Sequence, residues 1–132
     1  MTNFVDKLAW LLVVDGRLLS TRSKGKDTFY IPGGKRENGE SDDQALRREI
    51  REELTVELVP ESIVHAGTFE AQAHGKAEGV VVRMTCYWAD YVGELAPGAE
   101  IEEIVWLDYG GREDSSPVDK LIFDWLRQRG DL

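Results

Sequence analysis

Three carboxylates crowd the stretch Arg48-Glu49-Ile50-Arg51-Glu52-Glu53. If it is helical, Glu49 stands one turn from Glu52 and Glu53, where like charges repel by roughly 0.2–0.5 kcal/mol per pair. A cation would turn that repulsion into affinity. Hard divalent ions take oxygen ligands, and Mg²⁺ in particular is held by a few carboxylates while keeping waters and phosphate oxygens in its shell. Just upstream lies Pro32-Gly33-Gly34-Lys35-Arg36-Glu37-Asn38-Gly39-Glu40, punctuated by proline and glycine and expected to hold no regular structure. A helix starting after it points its free N–H groups back toward that loop.

Ser41-Asp42-Asp43-Gln44 is a capping box that starts the helix, with Asp42 and Asp43 suited to the positive end of its dipole. Leu46, Ile50 and Leu54 then recur every four residues, giving an apolar stripe that packs on a sheet. At about 100° per residue, Glu53 falls beside Leu46 at the margin of that stripe, and Glu52 points away from it. Glu53 is therefore expected to be partly desolvated, with its pKa raised in the absence of metal, which makes it a candidate base.

The remaining elements are short. Leu8–Val14 and Arg17–Arg22 flank Asp15-Gly16, the signal of a tight hairpin. Thr28–Ile31 reads as a brief strand. After Pro60, two strands run through 62–73 and 79–93, with Val80, Val82, Met84, Cys86 and Trp88 alternating onto one face of the second. Glu103–Tyr109 is a further strand. Val118, Leu121, Ile122 and Trp125 at helical spacing, between Ser116-Pro117 and Gly130, predict a closing helix. Strands mixed with two helices imply an α/β fold, a mixed sheet covered by a helix on each side.

With 132 residues and 42% apolar content, one domain with one real core is expected. A formal charge of −9 opposes a nucleic-acid duplex or an anionic membrane as main partner. Leu8–Val14 is too short to span a bilayer and has no signal-peptide surroundings. The lone Cys86 cannot form an internal disulfide and reads as a core thiol, in keeping with a reducing cytoplasm.

The segment from Gly34 to Val56 resembles the box of the Nudix hydrolase family, G-x5-E-x7-R-E-U-x-E-E-x-G-U with U a bulky aliphatic residue. Gly34, Glu40, Arg48, Glu49, Ile50, Glu52, Glu53 and Val56 all match, and Thr55 stands where the family has its last glycine. Tyr30-Ile31-Pro32-Gly33-Gly34 and the preceding hairpin are also similar to the family. The resemblance extends over 1–132 and implies an α/β/α sandwich of MutT-like type. It further implies Mg²⁺- or Mn²⁺-dependent hydrolysis of a nucleoside diphosphate linked to X, or of a (deoxy)nucleoside triphosphate. By matching positions it implies Gly33, Glu49, Glu52 and Glu53 at the metal, with Glu53 and Glu49 catalytic. Glu40 and Arg48 match positions that brace loop and helix. A further glutamate from a later loop is implied, either Glu100 or its competitor Glu103. A glycine is unstrained at a left-handed helix end, so the Thr55 departure leads us to expect a different helix exit.

Gly34, Arg22 and Tyr30 are the substrate-binding candidates. Arg22, Lys24 and Lys26 stand between phosphate contacts and ordinary surface charge, and Arg83 between the substrate cleft and a solvent-facing edge. Tyr30, Phe69 and Tyr87 are either base-stacking or core residues. His65 and His74 read as structural or surface residues, Trp106 and Trp125 as core. The competing functions are an ADP-ribose or dinucleoside polyphosphate hydrolase, a non-catalytic nucleotide-binding module, and a prenyl diphosphate isomerase. Gln72, where ADP-ribose enzymes of the family often place a proline, counts modestly against the first. The full set of box carboxylates counts against the second, and the context of Cys86 against the third. A small nucleotide is the expected partner, and whether two copies pair as a homodimer is left open.

Overall fold

The computed structural model describes residues 3–73 and 76–132; His74 lies outside them. In chain order the elements are β1 (Asn3–Leu11), β2 (Val13–Val14), β3 (Arg17–Ser23), β4 (Gly33–Gly34), α1 (Asp42–Leu54), β5 (Glu57–Leu58), β6 (Val64–Gln72), β7 (Val80–Trp88), β8 (Tyr91–Val92), β9 (Ile101–Leu107) and α2 (Pro117–Arg129). Side-chain alternation along β1 explains the layering. Leu8 and Trp10 pack with Leu46, Ile50 and Leu54 of α1. Ala9 and Leu11 face the other way, onto Ile122, Phe123 and Leu126 of α2 together with Val82, Met84 and Cys86 of β7. The sheet thus lies between the two helices, as the sequence predicts.

That sheet has the order β4-β1-β7-β6. β1 runs parallel to β7, and β1/β4 and β7/β6 are antiparallel. A second antiparallel sheet, β2-β3-β9, carries the hairpin, and β5 pairs with β8. The run Leu8–Val14 is therefore not one strand. It breaks at Leu12, so that its end can turn through Asp15-Gly16, both at positive φ, into the second sheet. Trp10 anchors the break, fully buried with its indole N–H donating to the Ala89 carbonyl at 3.0 Å.

Four further expectations need correction. Gly33-Gly34 is not irregular: it pairs with Leu8 and Ala9, because Gly33, at φ 152°, leaves room for the Leu8 carbonyl where a Cβ would collide. Thr28–Ile31 contributes only isolated bridges, Thr21 to Tyr30 and Phe29 to Ser115. Trp106, on an outward position of β9, is 38% exposed, and Leu121 is 41% exposed because α2 turns Phe123 and Leu126 inward instead; Trp125 does pack, edge-on against Phe69 and stacked on Trp88. Finally α1 does not exit differently at Thr55. Thr55 takes the left-handed conformation itself (φ 61°, ψ 25°) and caps Arg51 with its N–H.

Candidate active site

α1 starts as predicted. The Ser41 hydroxyl accepts from the Gln44 N–H at 3.2 Å, and the Gln44 side chain accepts from the Ser41 N–H at 3.0 Å. Buried Ala45, Leu46, Ile50 and Leu54 fix the rotation of the helix, which aims Glu49 and Glu53 toward the glycine strand and leaves Glu52 outside. The exposures match: 18% for the Glu49 side chain and 52% for Glu52.

Arg48 is the hub of the loop. Its guanidinium donates to both Glu40 oxygens at 2.7 and 2.9 Å, to Glu49 at 2.9 Å and to the Lys35 carbonyl at 3.0 Å. It also approaches Glu37 at 3.2 Å and Glu52 at 3.4 Å. Glu40 in turn accepts from the Glu37 N–H at 2.7 Å. The Arg48 hydrogen bonds hold the Glu40 carboxyl below the usual carboxylate range. Glu40 and Arg48 therefore brace loop to helix. Gly34 has a steric role beside them, because a Cβ there would land on the Glu49 carboxylate.

Glu53 accepts a hydrogen bond from the Gly33 N–H at 3.1 Å. Burial pushes its carboxyl up to about 8 against the pull of that N–H, and neighbouring Glu49 adds to the rise. Burial also raises Glu49, opposed by its Arg48 bond. Among the described residues no group of three or more His, Cys, Asp or Glu side chains is gathered for a metal, and the cation lying among Glu40, Glu49 and Glu52 is Arg48.

Glu53 opens into a cavity of about 260 Å³ whose wall includes Gly33, Gly34, Lys7, Tyr30, Lys26 and Ile101. A second cavity, about 210 Å³, adjoins it through Lys7, Tyr30 and Met84 and continues to Val118 at the start of α2. Of the sequence candidates, Gly33, Gly34, Tyr30 and Glu53 meet here. Arg22 is held elsewhere, donating to Glu103 and to the Lys26 carbonyl, each at 3.0 Å. Glu100 stands beside Ile101 with its carbonyl accepting from the Lys24 N–H at 2.8 Å. Arg83 pairs with Glu70 at 2.6 Å and lies over Phe4, and Tyr87 donates to Asp42 at 2.6 Å.

The chain matches the NUDIX domain family over residues 6–126. It belongs to the Nudix family. No curated protein matches it, but solved structures do. The ORF135 protein of E. coli is 24% identical, with 96% of this chain and 92% of that one covered at a TM-score of 0.74. A MutT NUDIX hydrolase from Burkholderia pseudomallei is 21% identical, with 92% and 97% covered at 0.74. A bifunctional NMN adenylyltransferase/ADP ribose pyrophosphatase from Francisella tularensis, complexed with AMP and a manganese ion, is 18% identical, with 98% of this chain and 42% of that one covered at 0.71. The Nudix family is one of enzymes that hydrolyse pyrophosphate bonds, generally with divalent metals, and the matched residues include α1 with its carboxylates. No helix among the described residues is long and apolar enough to cross a membrane.

Two polar residues near the site escape a motif search. Lys7 lines both cavities and is betrayed only by alternation, which puts it on the inward face with Ala9 and Leu11. Asp119 is fully buried, and its carboxylate accepts from the Ile31 N–H at 2.9 Å, docking α2 onto the segment that enters β4. Burial pushes it up to about 7. Its sequence signal is an acid on the apolar stripe, three and four residues before Ile122 and Phe123.

Proposed function

We propose that the chain is a Mg²⁺- or Mn²⁺-dependent pyrophosphohydrolase of small nucleotides, cleaving a nucleoside diphosphate-X or a (deoxy)nucleoside triphosphate by attack of water on phosphorus. One observation carries this: a partly buried Glu53, held by the Gly33 N–H and raised to about 8, at the wall of a cavity it shares with the glycine strand. Without a metal that group keeps its proton at neutral pH; a bound cation would ionise it and leave a poorly solvated carboxylate able to accept a proton from water.

The donor set fits a hard divalent ion: Glu49, Glu52, Glu53 and the Gly33 carbonyl offer only oxygen, and burial, with a smaller push from neighbouring carboxylates, raises Glu49 and Glu53, a cost a cation would relieve. Glu100, next to cavity-lining Ile101, is proposed as the added ligand; Glu103 is engaged by Arg22. When bound, the ion neutralises diphosphate charge and makes water more acidic. Glu53 takes the proton of the attacking water, and Glu49, pinned between Arg48 and Gly34, keeps its carboxylate aimed beside it. Tyr30 and Gly34 line the substrate's path, and Arg22 acts through Lys26, whose carbonyl it holds. The complete box carboxylates oppose a binding-only module.

A Mg²⁺-dependent screen over nucleoside triphosphates, ADP-ribose, dinucleoside polyphosphates and prenyl diphosphates tests this. Release of phosphate, pyrophosphate or a nucleoside monophosphate from a nucleotide is the expected result; binding without release would favour the module.

A further inference from the structure

The cavity beyond the carboxylates has a charge that runs against the rest of the molecule. In a chain of 25 acidic and 16 basic residues, its wall carries Lys7, Lys35 and Lys76 among Val5, Val82 and Met84. Lys7 is the anomaly among them. It occupies an inward position of β1, opposite Met84, where the pattern calls for an aliphatic residue. Among the described residues its ammonium makes no hydrogen bond or ion pair; its nearest compensation is the Tyr30 ring, 5.8 Å away. Burial makes the charged form harder to keep; Asp119 opposes that, Lys35 adds repulsion, and Glu53 and Lys76 pull in opposite directions more weakly. A half-buried ammonium whose close partner is an aromatic ring rather than an anion is costly unless a ligand supplies the anion. The N-cap Ser116 with Pro117 and Val118 of the first α2 turn also line the wall, at the positive end of a 13-residue helix whose first turn also carries Asp119. Asp119 does not line the cavity.

We propose that this cavity is an anion-reading subsite, in which Lys7, flanked by Lys35 and Lys76, selects substrates whose group X carries its own phosphate or carboxylate beyond the diphosphate. The proposal rests on the diphosphatase reading of the neighbouring cavity. Lys7, lining both cavities, then lies between the scissile diphosphate and the distal anion, and the aliphatic wall takes the carbon skeleton that separates them. A neutral nucleobase would add no charge to offset the repulsion of Lys7 by Lys35 and Lys76, which Asp119 and Glu53 oppose.

Matched probes test it: UDP-glucose against UDP-glucuronate, and ADP-ribose against ADP-ribose 1″-phosphate, each pair differing only by an anion on X. Affinities are read by calorimetry in EDTA and kcat/KM in Mg²⁺. The wild type is expected to favour the anionic member by about tenfold or more, the worth of one charge-assisted contact. Lys7→Met should erase that preference through KM, and Lys7→Arg should keep most of it. The exposed double variant Lys35→Gln/Lys76→Gln, which spares the core, should reduce it by about threefold. Equal handling of both members by the wild type overturns the proposal, as does a Lys7→Met loss that is the same for both, which would assign Lys7 to the diphosphate itself. Anion-selective binding without hydrolysis of any probe would leave the subsite standing and sink the diphosphatase reading.

Discussion

Gly34 and Asp119 show how much of the site rests on single atoms. Gly34 matters for what it lacks, since a Cβ would displace the Glu49 carboxylate. Gly34→Ala should lower turnover by about tenfold or more, because small displacements at a reacting centre are expensive, while Tm falls by only a few degrees; unchanged turnover would remove Glu49 from the machinery. Asp119 makes a pH prediction whose sign can be worked out. The folded carboxyl keeps its proton to about pH 7, whereas the ordinary aspartate value is 3.8. Between those values the folded state binds the extra proton, so stability decreases as pH rises through the window. Glu53 adds a slope of the same sign, up to about 8, so the informative quantity is the difference between proteins. Asp119→Asn should recover roughly 2–4 kcal/mol of the wild-type decline between pH 4 and 7, read as Tm against pH. Parallel curves would mean that the buried carboxyl does not titrate in this range.

At the scale of elements, α1 was legible because its signals are local: a capping box, a four-residue stripe and a charge cluster all lie within one segment, and together they gave its start, its buried face and the partial burial of Glu53. What the sequence did not disclose depends on distant partners. The break of the first apolar run at Leu12 follows from two sheets competing for it, and the Gly33-Gly34 strand exists because β1 offers an edge. The outward turn of Trp106 follows from which face of β9 the core covers. Thr55 was misjudged for a related reason. Its neighbours impose the left-handed exit: its hydroxyl donates to the Glu94 carbonyl at 3.3 Å, and Gly98 packs against the Glu52 carbonyl just before it. The β-branched cap still costs about 1 kcal/mol. Thr55→Gly should therefore leave Tm unchanged or raise it by up to ~5 °C, and a clear fall would show that the Glu94 bond outweighs the strain. Arg48, which ties the 35–40 loop to α1, makes the complementary prediction. Arg48→Met should cost about 1–2 kcal/mol and speed amide exchange across residues 35–40, whereas exchange confined to wild-type levels would deny it the bracing role.

Across the whole molecule, the fold places two kinds of charge on either side of Lys7: carboxylates on α1 and the lysines of the adjoining cavity. The net charge of −9 hides this division, which is why composition excluded partners but could not suggest a substrate. The box residues were recognisable because their chemistry needs fixed spacing on one helix; Lys7 and Asp119 were not, because β1, β4 and α2 bring them to the cleft from opposite ends of the chain. The central claim is that the α1 carboxylates form a hydrolytic centre with Glu53 as its base. Its most direct test is Mg²⁺-supported turnover of the best nucleotide substrate by wild type and Glu53→Gln, run in ¹⁸O-labelled water with Tm recorded for both. The account predicts one labelled oxygen in a phosphoryl product of the wild type and a loss of about 10²–10⁴-fold in kcat for the variant with Tm retained or raised. Near-normal turnover by Glu53→Gln, or product without label, would contradict it.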